Sequence, residues 1–242
     1  MAVPDLVWDV VERWELTVGE EYAPGVAGRA FRAELPDGTP AVLKLQHQHR
    51  ESEQEADALE CWEGEGAVRL LARDDERHAL LLERCEPGTF LSQWDGDRLG
   101  VLAGLLPRLW KCADGFHKLS DEVAHWALPG EVGELGRHLA ATQGELVLVH
   151  QDLHGDNVLA AEREPWLVID PKPLAAEREF SVAPIVRSHE LGDSRRDVLH
   201  RLDRLCSELG LDRERARGWT IAQTAAWSEG DEWHSEVVEW LS

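Results

Sequence analysis

The alternation of apolar and polar residues divides the chain into a strand-rich beginning and a helix-rich remainder. Leu6 to Leu16 carries Trp8, Val11 and Trp14 at helical spacing, which predicts a helix whose aromatic face packs on the core. Glu20 to Leu35 contains Gly25 and Gly28 and reads as a hairpin. Pro36-Asp-Gly-Thr39 is a turn, and it feeds the strand Ala41-Val-Leu-Lys-Leu45. A second helix is expected over Arg50 to Trp62, with Ala56, Leu59 and Trp62 on one face and Gly64 and Gly66 as its stop. Two more strands follow, Ala67 to Ala72 and Ala79 to Glu83, joined by the charged turn Arg73 to Arg77.

Beyond Glu83, Arg84-Cys-Glu-Pro-Gly88 reads as a crossing between two lobes, and from Leu91 the period becomes helical. Leu99, Leu102, Leu105, Leu106, Leu109, Ala113 and Phe116 fit one apolar stripe, with Pro107 as a kink or break. The segment 120–144 is a polar connection with one helix over Glu131 to Thr142. Inside this helical half, Leu146 to Val149 and Trp166 to Ile169 are short, apolar and β-branched enough to be buried strands. Helices are then expected over Glu179 to Arg187 and Arg195 to Leu209, stopped by Gly210, and from an Asp212 cap through Ala226. The organisation is α+β: a strand-rich lobe over 1–83, a hinge at 84–88 and a helical lobe over 89–242.

Charge narrows the partners. Against 25 basic residues stand 47 acidic ones, a net charge of -22, which disfavours nucleic acid and anionic membranes and attracts cations. No apolar run approaches the roughly 18 residues that span a bilayer, and Met-Ala-Val-Pro-Asp-Leu lacks a basic segment followed by an apolar one, so a cytoplasmic location is expected. Cys61, Cys85, Cys112 and Cys206 show no C-x-x-C spacing and read as reduced thiols. Lysine occurs at positions 44, 111, 118 and 172 alone, which makes each location informative.

The two late strands each deliver a carboxylate at or just past their ends, Asp152 and Asp170. The first loop has the spacing His150-x-Asp152-x-x-x-x-Asn157, the pattern of a kinase catalytic loop. Phosphoryl transfer needs an acceptor for the attacking hydroxyl's proton, which suits Asp152, and hard oxygen ligands for Mg²⁺, which suits Asn157 and Asp170. Lys44 inside an apolar strand asks for an anion, and Glu55 is a better partner for it than Glu51. Gly25 and Gly28 would let a hairpin approach phosphates, and the backbone around Glu83 and Cys85 would meet a purine at the crossing.

Plainer and rival readings stand beside this one. The Asp and Asn of the loop would satisfy backbone donors in an ordinary hairpin, and Lys44 would snorkel at a sheet edge. His150, Asp152, His154 and Asp156 alternate as the ligands of a metallohydrolase would. Trp227, Trp233 and Trp240, interspersed with Glu229, Asp231, Glu232 and Glu236, are either core with a solvated rim or a cradle for a polycation.

Lys44 in Ala-Val-Leu-Lys, the helix with Glu51 and Glu55, Leu80 to Gly88, His150 to Asn157 and Glu164 to Pro173 together resemble the aminoglycoside phosphotransferases. The branch is that of streptomycin kinases and hydroxyurea phosphotransferases, whose members carry a similar Asp-Pro-Lys-Pro ending. The resemblance implies a protein-kinase-like bilobal fold, with a small antiparallel sheet and one helix in the first lobe and a mostly helical second lobe. It implies ATP, with GTP as the other candidate nucleotide, and Mg²⁺ bound between the lobes. Asp152 would be the catalytic base and Asn157 and Asp170 the metal ligands. Lys44 would bind phosphate with Glu55 as its partner, and Lys172 would contact backbone or phosphate near the metal loop. The acceptor would be a small cationic molecule, aminoglycoside-like, modified by a monomer. Four features depart from the family pattern: Gln151 replaces a glycine, the phosphate loop lacks small hydroxyl residues, Ser181 stands in the place of an aspartate as a helix cap, and the connection 118–145 is shorter. Gln151 and Ser181 keep a nucleotide-binding module without activity as a third reading.

Overall fold

Side-chain alternation decides how the first half of the chain is buried. The computed structural model describes residues 7–22, 28–47, 49–228 and 230–242. Its first strands are β1 (Thr17–Glu21), β2 (Gly28–Glu34), β3 (Pro40–Gln46), β4 (Leu70–Asp74) and β5 (Ala79–Glu83), in one antiparallel sheet of order β1-β2-β3-β5-β4. Phe31, Ala33, Ala41 and Leu43 point to one face and pack with Val10 and Val11 of α1 (Trp8–Arg13). Ala30, Val42 and Lys44 point to the other face, where a cavity opens. The helix α1 has only six residues, so one face reaches the sheet; Val10 and Val11 form it, and Trp8, expected in the core, is 44% exposed.

The strand predicted from Ala67 starts at Leu70 because Gly66 to Val68 pair with the other half of the molecule. The Val68 amide donates to the Val168 carbonyl at 3.0 Å, and the Val168 amide to that of Gly66 at 2.9 Å. The second predicted helix is a 3-10 turn over Arg50–Ser52 followed by α2 (Glu55–Trp62), with Glu55 fully buried. Trp62 is also fully buried and its Nε1 donates to the Leu109 carbonyl at 2.9 Å, tying α2 to the helical half.

In that half, β6 (Pro87–Phe90) takes up part of the predicted crossing. The apolar stripe becomes α3 (Arg98–Leu109), capped by Asp97, whose side chain accepts from the Gly100 amide. Pro107 lies in its last turn, where the helix ends within two residues, so Ala113 and Phe116 fall beyond it. The connection holds two helices where one was expected, α4 (Leu119–Trp126) and α5 (Gly130–Ala141).

Two small sheets then frame the site. Strands β7 (Val147–His150) and β10 (Pro173–Ala176) pair antiparallel with His150 opposite Pro173. Strands β8 (Val158–Ala161) and β9 (Trp166–Val168) pair with Val158 opposite Val168, and β6 joins β8. The remaining helices are the short α6 (Ala183–Val186), α7 (Arg195–Leu209), α8 (Arg213–Ala226) and α9 (Glu232–Leu241). Ser194 and Asp197 form a capping box on α7, Gly210 ends it in the left-handed region, and Asp212 caps α8. Trp233 packs edge-on to Trp240 and His189, on the core side of the two readings, while Glu229 lies outside the described residues. Among the described residues no helix is long and apolar enough to cross a membrane.

Candidate active site

Strand register brings the sequence motifs together. Pairing of His150 with Pro173 lays the segment after β7 beside the segment before β10, and the Gln151 amide donates to the Lys172 carbonyl at 2.9 Å. Asp152 and Lys172 thereby face each other, Nζ to Oδ2 at 2.9 Å. The β8–β9 ladder does the same for the second pair of motif residues, since the Ile169 amide donates to the Asn157 carbonyl at 2.9 Å and sets Asp170 next to Asn157. Asn157 donates its amide nitrogen to the Asp152 carbonyl at 2.8 Å, which leaves the amide oxygen as its free acceptor. Asp170 holds φ at 51°, a left-handed conformation that a non-glycine residue keeps only where its surroundings impose it.

At the floor of the cavity, Lys44 reaches Glu55 at 2.6 and 2.7 Å and Asp170 Oδ1 at 2.5 Å. Gln46 Nε2 donates to the second Glu55 oxygen at 2.9 Å. Burial by itself would lower the Lys44 pKa, but the two carboxylates beside it raise it. Burial pushes Asp170 up, and Lys44 more than reverses this, so Asp170 is held below the usual carboxylate range. For Glu55 burial prevails over Lys44 and the direction is upward. Glu51, the other acidic candidate, turns instead to Lys172 at 3.4 Å.

Above this floor the cavity measures about 390 Å³. Ala30, Val42, Val68, Leu82, Leu159 and Ile169 are its apolar walls, and Glu83 and Cys85 lie along its rim. The Glu83 carboxylate is engaged by Arg163 at 2.8 and 2.9 Å and by the Arg69 amide at 3.0 Å, which leaves the main chain of this segment to face the cavity. The Cys85 thiol is pushed up to about 12 by burial and is unreactive. Gly28 also lines the cavity, and a Cβ there would come within 2.3 Å of the Leu45 carbonyl oxygen, so the close approach of β2 to β3 requires glycine. Gly25 lies outside the described residues.

Asp152 is held by two cations. Besides Lys172, Arg187 places Nη2 3.4 Å from Oδ1, and the Arg187 guanidinium lies 4.3 Å from the Trp227 ring centroid, with Lys172 Nζ 5.0 Å from the same ring. Burial lowers the Arg187 pKa to about 10. For Lys172 burial acts downward too, but Asp152 and Glu51 prevail and raise it. The structure therefore adds Arg187 and Trp227 to the site. No motif announced Arg187; the signal available was a charged residue closing the apolar run Ala183 to Val186.

The four residues proposed as ligands of a metallohydrolase part company. His150 is 1% exposed, with Nδ1 accepting from the Asp152 amide at 3.1 Å, and burial lowers its pKa to about 4. Asp152 belongs to its cations. His154 and Asp156 gather with Glu190, their ligand atoms within 4.8 Å, but Asp156 is exposed and bonded to the Ser92 hydroxyl, and Glu190 accepts from the Gly155 amide. Ser181 is not a helix cap: its hydroxyl donates to the Arg178 carbonyl at 2.6 Å and accepts from Trp110 Nε1 at 3.2 Å, inside a buried 3-10 turn. Gln151 is buried under the loop, where Gln223 Nε2 donates to its carbonyl at 2.8 Å.

Residues 13–232 match the family described as aminoglycoside/hydroxyurea antibiotic resistance kinase. The chain is 39% identical to a streptomycin 6-kinase of Streptomyces glaucescens, over 95% of this chain and 84% of that protein. It is 40% identical to a hydroxyurea phosphotransferase of Kitasatospora aureofaciens, over 95% and 74% of the two chains. Among solved structures, a choline kinase from Streptococcus pneumoniae superposes with a TM-score of 0.70 at 15% identity, covering 98% of this chain and 97% of that one.

Proposed function

Because this chain belongs to the aminoglycoside/hydroxyurea antibiotic resistance kinase family and is a phosphotransferase acting on an alcohol group, we propose that it transfers the γ-phosphoryl of ATP to a hydroxyl of a cationic, streptomycin-like antibiotic. Such a transfer would protect the cell that carries it. The observation that carries the reading is the meeting of Lys44 and Asp170 at one end of a cavity of about 390 Å³, with Asn157, bonded to the Asp152 carbonyl, on the segment paired to that of Asp170. The purine would lie between the apolar walls against the Glu83 to Cys85 main chain, where the lobes divide at 84–88, and its phosphates would run toward Lys44.

The donor set fits magnesium. Asp170 and the Asn157 amide oxygen are hard ligands on segments that the β8–β9 ladder pairs, and a bound Mg²⁺ would neutralise charge on the nucleotide phosphates. Lys44, positioned by Glu55, orients the phosphates. Asp152 accepts the proton of the acceptor hydroxyl, and Lys172 beside it offsets negative charge on the phosphoryl group in transit. His150 remains neutral behind the loop and fixes it through the Asp152 amide. The acceptor's cationic character is supported by the net charge of -22 and by the streptomycin kinases among the relatives.

Thermal unfolding with Mg-ATP or Mg-GTP, alone and with streptomycin, other aminoglycosides or hydroxyurea, tests this. Ligands that bind the folded chain raise the midpoint. The expected result is a rise with Mg-ATP that grows with streptomycin, followed by phosphorylated product on incubation. A rise with nucleotide but with no antibiotic moves the acceptor to another class, and no rise with any nucleotide rejects the kinase reading.

A further inference from the structure

Arg187 joins the site 35 residues after Asp152, at the end of α6 and outside the motifs. It is 7% exposed, and its Nη1 is shut off from water without a hydrogen-bond partner. Its compensations are the Asp152 carboxylate and the Trp227 ring. Its main chain is held as well, since Trp233 Nε1 donates to the Arg187 carbonyl at 2.8 Å. Burying a guanidinium with so few partners is costly, and a fold serving stability alone would place an apolar side chain there.

The two cations on Asp152 are not equivalent. Lys172 is shared with Glu51 at 3.4 Å and its side chain is 18% exposed, so it has an alternative partner and room to move. Arg187 has neither. Its side chain is 8% exposed and wedged on an aromatic plate.

We infer that Arg187 is the positioning residue of the transfer, fixing Oδ1 of Asp152 so that Oδ2, shared at rest with Lys172, is the oxygen that receives the acceptor's proton. This rests on the kinase reading above. The acceptor oxygen bonds to the γ-phosphorus as its proton passes to Oδ2. The bond from that phosphorus to the β–γ bridging oxygen breaks, and ADP leaves with the electron pair. Lys172 withdraws from Oδ2 toward Glu51 or the phosphoryl oxygens, while Arg187 stays and keeps the carboxylate from rotating. Trp227 is then the support of a charged side chain and not a cradle for a polycation.

A double-mutant cycle tests it. Arg187→Gln and Arg187→Lys are made alone and with Asp152→Asn, and kcat, both KM values and the thermal midpoint are measured. Arg187→Gln is expected to lower kcat about tenfold or more with nucleotide KM nearly unchanged, and Arg187→Lys to recover part of the loss. In the Asp152→Asn background the same substitutions are expected to change kcat less than about twofold, because the group through which Arg187 acts is gone. An equal loss in both backgrounds, or an unchanged kcat in Arg187→Gln, overturns the assignment and leaves the kinase reading intact. Should Arg187→Gln melt below the assay temperature, Arg187→Lys carries the cycle. A wild-type chain that transfers phosphoryl to no acceptor and hydrolyses no ATP rejects the kinase reading, and the role of Arg187 with it.

Discussion

Lys44 Nζ and Asp170 Oδ1 stand 2.5 Å apart although 126 residues separate them in the chain. One comes from the central strand of the first sheet and the other from just beyond β9, so this contact joins the two halves at the cavity floor. Glu55 shares the same ammonium from α2. One lysine therefore serves two carboxylates, and a nucleotide phosphate arriving there would compete for its third proton.

Replacing Lys44 by Met leaves Glu55, fully buried, without its counter-charge. Removing one partner of a buried pair costs about 3–5 kcal/mol. Urea titration is expected to show that loss together with a fall in turnover of at least about 10². The double variant Lys44→Met/Glu55→Gln separates the two effects, with stability regained and turnover still low. Recovery of turnover in the double variant would remove Lys44 from the chemistry.

Asp152→Asn keeps the shape of the loop and removes the carboxylate proposed to accept the proton. Turnover is expected to fall by about 10²–10⁴, the range of a lost general base, while Mg-ATP still raises the melting midpoint. Turnover within about threefold of wild type would assign Asp152 to holding Lys172 and Arg187 in place.

Much of this site was legible in the sequence because its chemistry is local. The spacing of residues 150–157 and 164–173 announced two loops that the fold brings together, and the isolated Lys44 in an apolar strand asked for the anions it has. Residues that act through packing were not legible. Arg187 just past α6 and Arg163 in the β8–β9 turn sit where neither period nor motif reports which partner they will meet. Ala67 to Val68 looked like the start of β4, since an apolar run does not tell a ladder to β5 from a bridge to Val168. The strand β10 is not legible in the sequence because four residues that begin with a proline carry no periodic signal.

His150 gives stability a pH dependence of defined sign. Its pKa falls from 6.5 to about 4 on folding because the ring is buried. Between these values the unfolded chain binds a proton at this position that the folded chain refuses, so stability is lost as pH falls through that interval and is flat above it. The full contribution is about 3 kcal/mol. His154, raised by Glu190 against the effect of burial, acts in the opposite sense. The measurement is therefore a comparison of wild type with His150→Asn, whose side-chain oxygen still accepts from the Asp152 amide. Urea unfolding between pH 7.5 and 5, as an order-of-magnitude window around the shift, is expected to show wild type losing more stability than the variant. Parallel curves would mean that His150 takes up its proton equally in the folded and the unfolded chain.

Arg163 ties the β8–β9 hairpin to the strand half through a single side chain. It donates to Glu83 at 2.8 and 2.9 Å, to the Gly64 carbonyl at 2.8 Å and to the Ala67 carbonyl at 3.0 Å. Burial would raise the Glu83 carboxyl, but Arg163 and the Arg69 amide hold it below the usual range. In Arg163→Ala the Glu83 carboxylate keeps only the Arg69 amide, and two carbonyls of the 64–67 segment lose a donor. The expected cost is about 1–3 kcal/mol, since solvent reaches part of this cluster and moderates the loss. Because these contacts flank the end of the cavity proposed to hold the purine and not Asp152, KM for nucleotide is expected to rise several-fold while kcat stays within about twofold. Steady-state kinetics at saturating acceptor decides this. A fall in kcat with KM unchanged would place Arg163 in the alignment of Asn157 and Asp170, through the hairpin whose other end carries them.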